Sequence, residues 1–143
     1  NIKDKYDYIL IDCMPSLGMV TINALVAADY VLIPVEAAYL PTKGLQQLIK
    51  TIGKVHRRLN PSLEILGILL TKVDRRANFS KDICDQIREV YGRNIHIFEN
   101  CIPMSIRAAE TSAEGRSIYY YDPKGIVAEG YQSLTKEVLR NEK

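Results

Sequence analysis

Hydrophobic residues along the chain form short unbroken runs that alternate with longer stretches of helical spacing. The unbroken runs are rich in β-branched, aliphatic and aromatic side chains, which is typical of strands buried in a sheet. The longer stretches repeat an apolar residue every three or four positions, which predicts helices with one buried face. Strands are predicted at 8–11, 30–35 and 63–70, with a shorter one within 95–102, and helices at 19–28, 45–59, 81–91, 105–113 and 126–140.

This alternation of strands and helices predicts an α/β fold with a mostly parallel sheet between two layers of flanking helices. The three layers are expected to form a single domain over residues 1–143, because no linker or low-complexity stretch divides the chain. Ser80 is the predicted N-cap of the helix that follows it.

Composition supports a globular protein and narrows the choice of partners only slightly. The 143 residues are 47% hydrophobic and 25% charged, with a net charge of +2, so the total charge requires neither nucleic acid nor an acidic partner. The three cysteines are widely spaced and no histidine lies beside them, which argues against a disulfide framework or a zinc site. No apolar run reaches the roughly 18 residues of a membrane span, and a cytoplasmic protein is expected.

Asp12 directly follows the first predicted strand, at the end of the sheet where ligands bind in parallel α/β folds. A carboxylate there suits Mg²⁺, which takes oxygen ligands and keeps several of its waters. A side chain that merely caps the next turn explains the same residue equally well. Asp12 alone therefore leaves both interpretations open.

Two other predicted strands also end in polar residues, at 34–36 and at 71–74. If the sheet is parallel, these ends share one edge with Asp12 and line one cleft. The run Thr-Lys-Val-Asp at 71–74 is similar to the [NT]KxD run with which P-loop GTPases bind a nucleobase. A solvated turn after a buried strand is an equally good explanation of those four residues.

The loop after Asp12, which contains Pro15, Ser16 and Gly18, also has two interpretations. It is either a switch that responds to a nucleotide phosphate or an ordinary strand-to-helix turn. A phosphate-binding loop needs a run of the type G-x-x-x-x-G-K-[ST], and none of the eight glycines lies in such a run. The sequence thus offers a metal ligand and residues for a base pocket, without the phosphate-binding part of a nucleotide site.

Five stretches, which follow one another along nearly the whole chain, carry a family resemblance: YDYILIDCMPSLGMVTINAL, ADYVLIPVEAAYLPTKGLQQL, ILLTKVDRR, IPMSIRAAETSAEGRSI and YYYDPKGIVAEGYQSLTKEV. In this order they resemble the C-terminal two-thirds of the ParA/Soj-type chromosome and plasmid partition ATPases, a MinD-like family with a deviant Walker A loop. The resemblance implies a P-loop NTPase-like fold from which the N-terminal P-loop portion is absent.

The resemblance implies an ATPase that binds ATP and Mg²⁺, forms a homodimer, and binds DNA without sequence preference. It also implies stimulation by a ParB-type partition protein and association with the nucleoid, without stable membrane association. Asp12 matches the family's Walker B acid, which is a catalytic and metal-binding position. Pro15, Ser16 and Gly18 match the switch segment of the family.

Positions expected to flank the adenine are Thr71, Asp74, Ile102 and Pro103, and this match favours ATP over GTP. DNA binding is expected from basic residues near the positions of the family's DNA surface. These are Arg93 and Lys124, with Lys50, Lys54, Arg57 and Arg58 as further candidates. Contacts of Lys and Arg with phosphates give affinity that does not depend on sequence and falls as salt rises.

Three positions depart from the family pattern. Many members have proline where this chain has Met14 and Ser112, and arginine where it has Met104. The Walker A loop is expected to precede Asn1, so the chain alone is expected to be a poor ATPase, from a truncated product or a split gene. One alternative is a non-catalytic ParA-like module that acts through DNA or protein contacts only. Another is a GTPase-like or MinD-like protein at a membrane, although the terminal KEVLRNEK lacks the apolar face of an interfacial anchor. An exposed sheet edge also predicts self-association.

Overall fold

The computed structural model describes residues 3–14, 16–37 and 42–141, except for the side chains of residues 3, 42, 43 and 141. A short 3₁₀ turn at Lys3–Lys5 precedes the regular elements. The strands are β1 (Tyr30–Glu36) and β2 (Glu64–Thr71), and the helices are α1 (Met19–Ala27), α2 (Thr42–Arg58), α3 (Asn78–Tyr91), α4 (Ile106–Glu114), α5 (Ile118–Tyr121) and α6 (Ile126–Asn141).

Strands β1 and β2 pair in parallel, as the sequence predicts. The N–H of Glu64 donates to the carbonyl oxygen of Asp29 at 3.0 Å, and at the other end the N–H of Ala37 donates to that of Thr71 at 3.0 Å. Both chains therefore run in the same direction between these bonds, and α2 connects them. The predicted α/β fold with a parallel sheet is confirmed.

Contacts divide the chain into two compact units, one of residues 1–31 with 43–64 and the other of residues 32–42 with 65–143. The first unit contains α1 and α2. Asn60 connects the two helices by hydrogen bonds, because its side-chain amide donates to the carbonyl oxygens of Leu25 at 3.2 Å and Ala28 at 2.7 Å. Asn60 follows the end of α2, so it fastens that end to the end of α1. The prediction of a single domain over the whole chain stays a prediction.

The predicted strand at 8–11 is wrong for this structure. Residues 8–11 have no regular secondary structure, and Leu10 is 93% exposed. A strand needs a neighbouring strand to satisfy its backbone groups, and an apolar run alone cannot supply one. Within the described part of the chain, no strand pairs with this segment.

The core of the second unit is built around Phe98, which is fully buried. It is packed with Leu69, Ile102, Val127 and Leu134, so it joins β2 to α6. The predicted strand within 95–102 is reduced to a single parallel bridge between Ile97 and Ile68. Burial of these large side chains is the main source of stability for this unit.

Gly67 lies on β2 where the chain at 96–98 approaches most closely. A Cβ atom on Gly67 would lie 2.9 Å from Cε2 of Phe98 and 3.0 Å from the carbonyl oxygen of His96. The absence of a side chain therefore lets the two segments come together, and the bridge between Ile68 and Ile97 depends on this approach.

Glu137 fastens α6 to the turn at 99–100. Its carboxylate accepts hydrogen bonds from the N–H of Glu99 at 2.7 Å, from the N–H of Asn100 at 3.0 Å and from the Asn100 amide at 2.7 Å. Nε2 of His96 lies 3.6 Å from the same carboxylate, whose side chain is 11% exposed. A buried carboxylate with this many donors is fully compensated for its loss of water.

Ser80 is not the N-cap that the sequence predicts. Helix α3 begins at Asn78, with Ala77 at the capping position and no side-chain cap. Ser80 is buried in the first turn, where its Oγ accepts a hydrogen bond from the N–H of Asp74 at 3.1 Å. The hydroxyl thus serves the preceding turn instead of the helix end.

Candidate functional site

The segments predicted to flank a base are joined by backbone hydrogen bonds in the second unit. The N–H of Ile102 donates to the carbonyl oxygen of Leu70 at 2.9 Å, and the N–H of Val73 donates to that of Ile102 at 3.1 Å. The N–H of Met104 then donates to the carbonyl oxygen of Val73 at 3.1 Å, and Val73 and Pro103 form a parallel bridge. The structure therefore brings 71–74 and 102–103 together, although they are far apart in sequence.

The ends of β1 and β2 also meet, through an ion pair. Nζ of Lys72 lies 3.0 Å from Oε2 of Glu36, with both side chains largely exposed. An exposed pair of this kind contributes only about 0–1 kcal/mol. The ion pair does show that two of the three predicted strand ends lie at the same edge of the sheet.

Lys72 has a backbone conformation that its side chain disfavours. Its φ is +50°, and it is the only residue other than glycine with positive φ among the described residues. The left-handed region costs a residue with a Cβ atom about 1–2 kcal/mol. Strained backbone conformations are frequent at ligand-binding sites, so the conformation of Lys72 supports the interpretation that this turn is part of a binding site.

Replacing Lys72 with glycine is expected to leave the protein more stable than Lys72→Gln by about 0.5 kcal/mol in the free energy of unfolding, since both changes remove the ion pair with Glu36. Relief of the left-handed strain outweighs the greater freedom of glycine in the unfolded chain, which costs about 0.5–1 kcal/mol. Urea denaturation measures the change. Lys72→Gln is the matched control, since it removes the ion pair and keeps the strain, and it is expected to be neutral or slightly destabilising. If the glycine variant is less stable than the glutamine variant, the positive φ of Lys72 does not destabilise the protein.

Asp74 supports its own turn. Its Oδ1 accepts a hydrogen bond from the N–H of Arg76 at 2.9 Å, and its own N–H is bound by Ser80. This is the arrangement of an aspartate that closes a turn two residues on. One oxygen of the carboxylate is therefore already hydrogen-bonded, and Oδ2 accepts no hydrogen bond among the described residues.

Asp12 and the predicted switch residues lie in the first unit, and Pro15 lies outside the described residues. Asp12 is exposed, in a segment without regular structure. The carbonyl oxygen of Ser16 accepts a hydrogen bond from Thr21 Oγ1 at 2.6 Å, and that of Gly18 accepts one from the N–H of Ile22 at 3.1 Å. The loop is thereby attached to the start of α1, and the carboxylate of Asp12 is open to solvent.

The predicted DNA-binding residues are exposed. Arg93 follows α3 and Lys124 precedes α6, both in the second unit. Neither side chain forms an ion pair within the described ranges. The further candidates on α2, which are Lys50, Lys54, Arg57 and Arg58, are exposed in the first unit.

The described residues contain no group of three or more His, Cys, Asp or Glu side chains that could hold a metal ion. A Mg²⁺ ion bound through one carboxylate and water does not need such a group, and an exposed carboxylate such as that of Asp12 fits this mode. Sequence reasoning missed the ion pair of Lys72 with Glu36 and the positive φ of Lys72. Opposite charges at two strand ends could have signalled the pair, but no sequence pattern signals the φ of a lysine.

Known proteins give a consistent set of relatives for this chain. A family model described as an AAA domain matches residues 1–65. The sporulation initiation inhibitor protein Soj of Bacillus subtilis is 41% identical over 140 residues, which is 98% of this chain and 54% of that protein. The chromosome partitioning protein ParA of Myxococcus xanthus is 42% identical over 138 residues, which is 96% of this chain and 48% of that protein. The chain spans about half the length of the curated relatives it matches.

Solved structures of cobyrinic acid a,c-diamide synthase from Mycobacterium smegmatis share the fold. One with bound ADP and magnesium has a TM-score of 0.79 at 29% identity, over 97% of this chain and 49% of that one. Another, with a bound ATP analog and magnesium, has a TM-score of 0.67 at 29% identity, over 80% of this chain and 51% of that one. The fold is therefore P-loop NTPase-like, as predicted. In addition, no described helix is both long and apolar enough to cross a membrane.

Proposed function

Because this chain belongs to the ParA/Soj family of partition proteins, we propose that it provides the metal-binding acid and the base-flanking segments of a Mg–ATP site in a partition ATPase. The observation that carries the proposal is the hydrogen-bonded junction of the turn at 71–74 with Ile102 and Pro103. It assembles at one sheet edge the residues that the family resemblance assigns to the base. The proposal covers the metal and the base only, since the 143 residues contain no P-loop run.

In the proposed site, Asp12 binds Mg²⁺ through one carboxylate oxygen or through a bound water. The metal would supply positive charge to the phosphates of the nucleotide. Ser16 and Gly18, with Pro15, form the segment that responds to that charge. The support for this role is the exposed carboxylate beside a loop that is fastened to the start of α1.

The base-flanking part of the proposed site uses Thr71, Asp74, Ile102 and Pro103. Ile102 and Pro103 are buried and can supply an apolar wall for a flat ring. Oδ2 of Asp74 can accept a hydrogen bond from an amino group, because Oδ1 is already bound by Arg76. We assign adenine in preference to guanine because the relatives are partition proteins and two structural neighbours hold adenine nucleotides.

Photolabelling tests the base and metal assignments together, and it works even where binding is weak. An azido-ATP is expected to label peptides that contain 71–74 or 102–104, and Mg²⁺ is expected to increase the yield. Asp12→Asn should reduce the Mg²⁺-dependent labelling by about tenfold or more, as loss of support for a bound metal does. Asp7→Asn, another exposed acid of the same segment, is the matched control and should leave the labelling unchanged.

Labelling confined to other peptides would contradict the base assignment. Equal Mg²⁺ dependence in Asp12→Asn and Asp7→Asn would contradict the metal assignment separately. Tight binding of ATP and Mg²⁺ by the chain alone, measured by calorimetry, would show that the phosphate-binding residues lie within these 143 residues.

We further propose that the protein binds DNA without sequence preference through Arg93 and Lys124, as a homodimer that responds to a ParB-type partner. The affinity for duplex DNA should fall as salt rises, and Arg93→Gln with Lys124→Gln should lower the slope of log K against log salt by about two. Lys136→Gln with Arg140→Gln on α6 removes the same charge and is the control. An unchanged slope in the first double variant would move the DNA surface to other residues.

A non-catalytic module that acts through DNA or protein contacts only remains the rival function. The exposure of the segment 8–11 favours a binding role, because exposed apolar runs mark interaction sites. The photolabelling experiment separates the two functions. Labelling at 71–74 and 102–104 that does not respond to Mg²⁺ in any variant would favour the rival.

A further inference from the structure

A small open pocket of about 180 Å³ lies in the second unit, between α3 and the segment at 101. We call it the α3 pocket. Its apolar wall is formed by Leu70 and Val73, and two thiols, Cys84 and Cys101, also line it. Thr71, Ile102 and Pro103 are absent from its lining, so it is distinct from the proposed base-flanking positions. Asp74 is the one residue that belongs to both.

Positive charge dominates the rim of the α3 pocket. Arg75, Lys81 and Arg88 line it together with a single acid, Asp74, which gives three positive charges against one negative charge. Lys81, Cys84 and Arg88 lie three and four residues apart, so one face of α3 presents them. The side chains that line the pocket therefore carry a formal net charge of +2.

Among the described residues, two of the three cations have no ion-pair or hydrogen-bond partner for their side chains. Within 3–14, 16–37 and 42–141, neither Arg75 nor Lys81 forms an ion pair or a side-chain hydrogen bond. Nη1 of Arg88 lies 3.6 Å from Oδ1 of Asp85, which is a loose contact between exposed groups. Asp74 already uses Oδ1 for Arg76. The donors of Arg75 and Lys81 are thus available for an anion.

We propose that the α3 pocket binds a phosphate group. Arginine and lysine are the side chains that bind phosphate oxygens in proteins, as planar donor and as point charge respectively. The pocket is smaller than the roughly 300–1,000 Å³ of pockets that enclose drug-sized ligands, so it suits a phosphate group and not a whole nucleotide. The phosphate comes either from solution or from a nucleic acid backbone, and the same donors bind both.

The reactivity of one of the two thiols, Cys101, can report whether an anion occupies the α3 pocket. Cys101 is partly exposed and lines the pocket, whereas Cys84 is buried, and this burial is the main cause of its raised pKa. Cys101 is therefore the thiol that a small alkylating reagent reaches first in the pocket. Cys13 is exposed in the first unit and serves as an internal control in every sample.

The experiment measures the rates at which iodoacetamide alkylates Cys101 and Cys13 in the 143-residue chain, by mass spectrometry. Phosphate is increased while sodium chloride keeps the ionic strength constant, since screening alone changes exposed charges. Cys101 is expected to react several-fold more slowly at millimolar phosphate, with Cys13 unchanged. The anionic reagent iodoacetate should in turn favour Cys101 over Cys13 more strongly than neutral iodoacetamide does.

Variants and a second ligand complete the test. Arg75→Gln with Lys81→Gln should abolish the protection of Cys101, and Lys136→Gln with Arg140→Gln should preserve it. A short DNA duplex that protects Cys101 more strongly than the same concentration of free phosphate would identify a nucleic acid backbone as the source, and the reverse order would identify free phosphate. Protection by neither, or equal protection in both double variants, would overturn the proposal, whatever photolabelling shows at 71–74 and 102–104.

Discussion

Glu137→Ala is expected to lower the free energy of unfolding by about 2–4 kcal/mol. Its carboxylate accepts from the N–H groups of Glu99 and Asn100, and without it two partly buried donors lose their partner. Each such loss costs about 1–3 kcal/mol. Gln132→Ala, an exposed position on the same helix, is the control and should change stability by no more than about 0.5 kcal/mol. Urea denaturation compares the two variants, and equal effects would mean that Glu137 is not an anchor.

The same carboxylate predicts a dependence on pH. Burial alone raises the pKa of Glu137, but the N–H groups of Asn100 and Glu99 and the Asn100 amide, helped by His96, hold that pKa below its ordinary value. The unfolded carboxyl has a pKa of about 4.3, so the stabilisation is complete above that pH and is lost as the pH falls through the lower pKa of the folded state.

Glu137→Gln isolates this pH dependence, because an amide does not titrate. Wild type and variant differ most in stability near neutral pH, and the difference should shrink below about pH 4. Denaturation midpoints of both proteins across this range measure it. A constant difference down to acid pH would show that Glu137 titrates as an ordinary exposed carboxyl.

Gly67→Ala is expected to cost about 1–3 kcal/mol, the range for adding a methyl group to a packed core. The new Cβ would lie 2.9 Å from Cε2 of Phe98, which is fully buried and cannot turn away, and 3.0 Å from a backbone oxygen of His96. That oxygen also accepts the N–H of Ile68 at 2.9 Å. Relief of the clash therefore weakens either the core or the bridge.

Gly53→Ala is the matched control for Gly67→Ala. Gly53 lies within α2, where the nearest atom to a new Cβ is Nη1 of Arg57 at 3.8 Å, an ordinary contact. Alanine in a helix is favoured over glycine by up to about 1 kcal/mol, so this variant should be more stable than wild type. Denaturation of the two variants should give shifts of opposite sign. A shift of the same sign in both would mean that the close approach at Gly67 is not the cause.

Hydrophobic spacing predicted five of the six helices and two of the strands well, and it missed the short α5 at Ile118–Tyr121. The predicted 45–59 and 126–140 correspond to α2 at Thr42–Arg58 and α6 at Ile126–Asn141. The run at 8–11 has the same apolar content as a buried strand, and it failed because a strand also needs a partner that its own sequence does not contain. Ser80 failed as a cap because its hydroxyl had a competing acceptor role at Asp74.

The sequence predicted which strand ends contribute to the candidate site, but it did not predict the contacts between the residues there. Parallel pairing places Glu36 and Lys72 at one edge, and this follows from the order of elements. The junction of Val73 with Ile102 does not follow from local sequence, because it depends on how the chain returns after α3. Asp12 lies in the other unit, and its role stays a proposal.

The hydrogen bonds of Glu137 connect α6 to the turn at 99–100, which directly precedes the base-flanking segment at 102–103. Asn100 is fixed to α6, and two residues later Ile102 is fixed to Leu70 and Val73. So short a connection has almost no slack, and packed interfaces shift as blocks instead of deforming gradually. A displacement of the chain at 102–104 is therefore expected to shift α6 as well, because the hydrogen bonds of Glu137 hold that helix to residues 99–100.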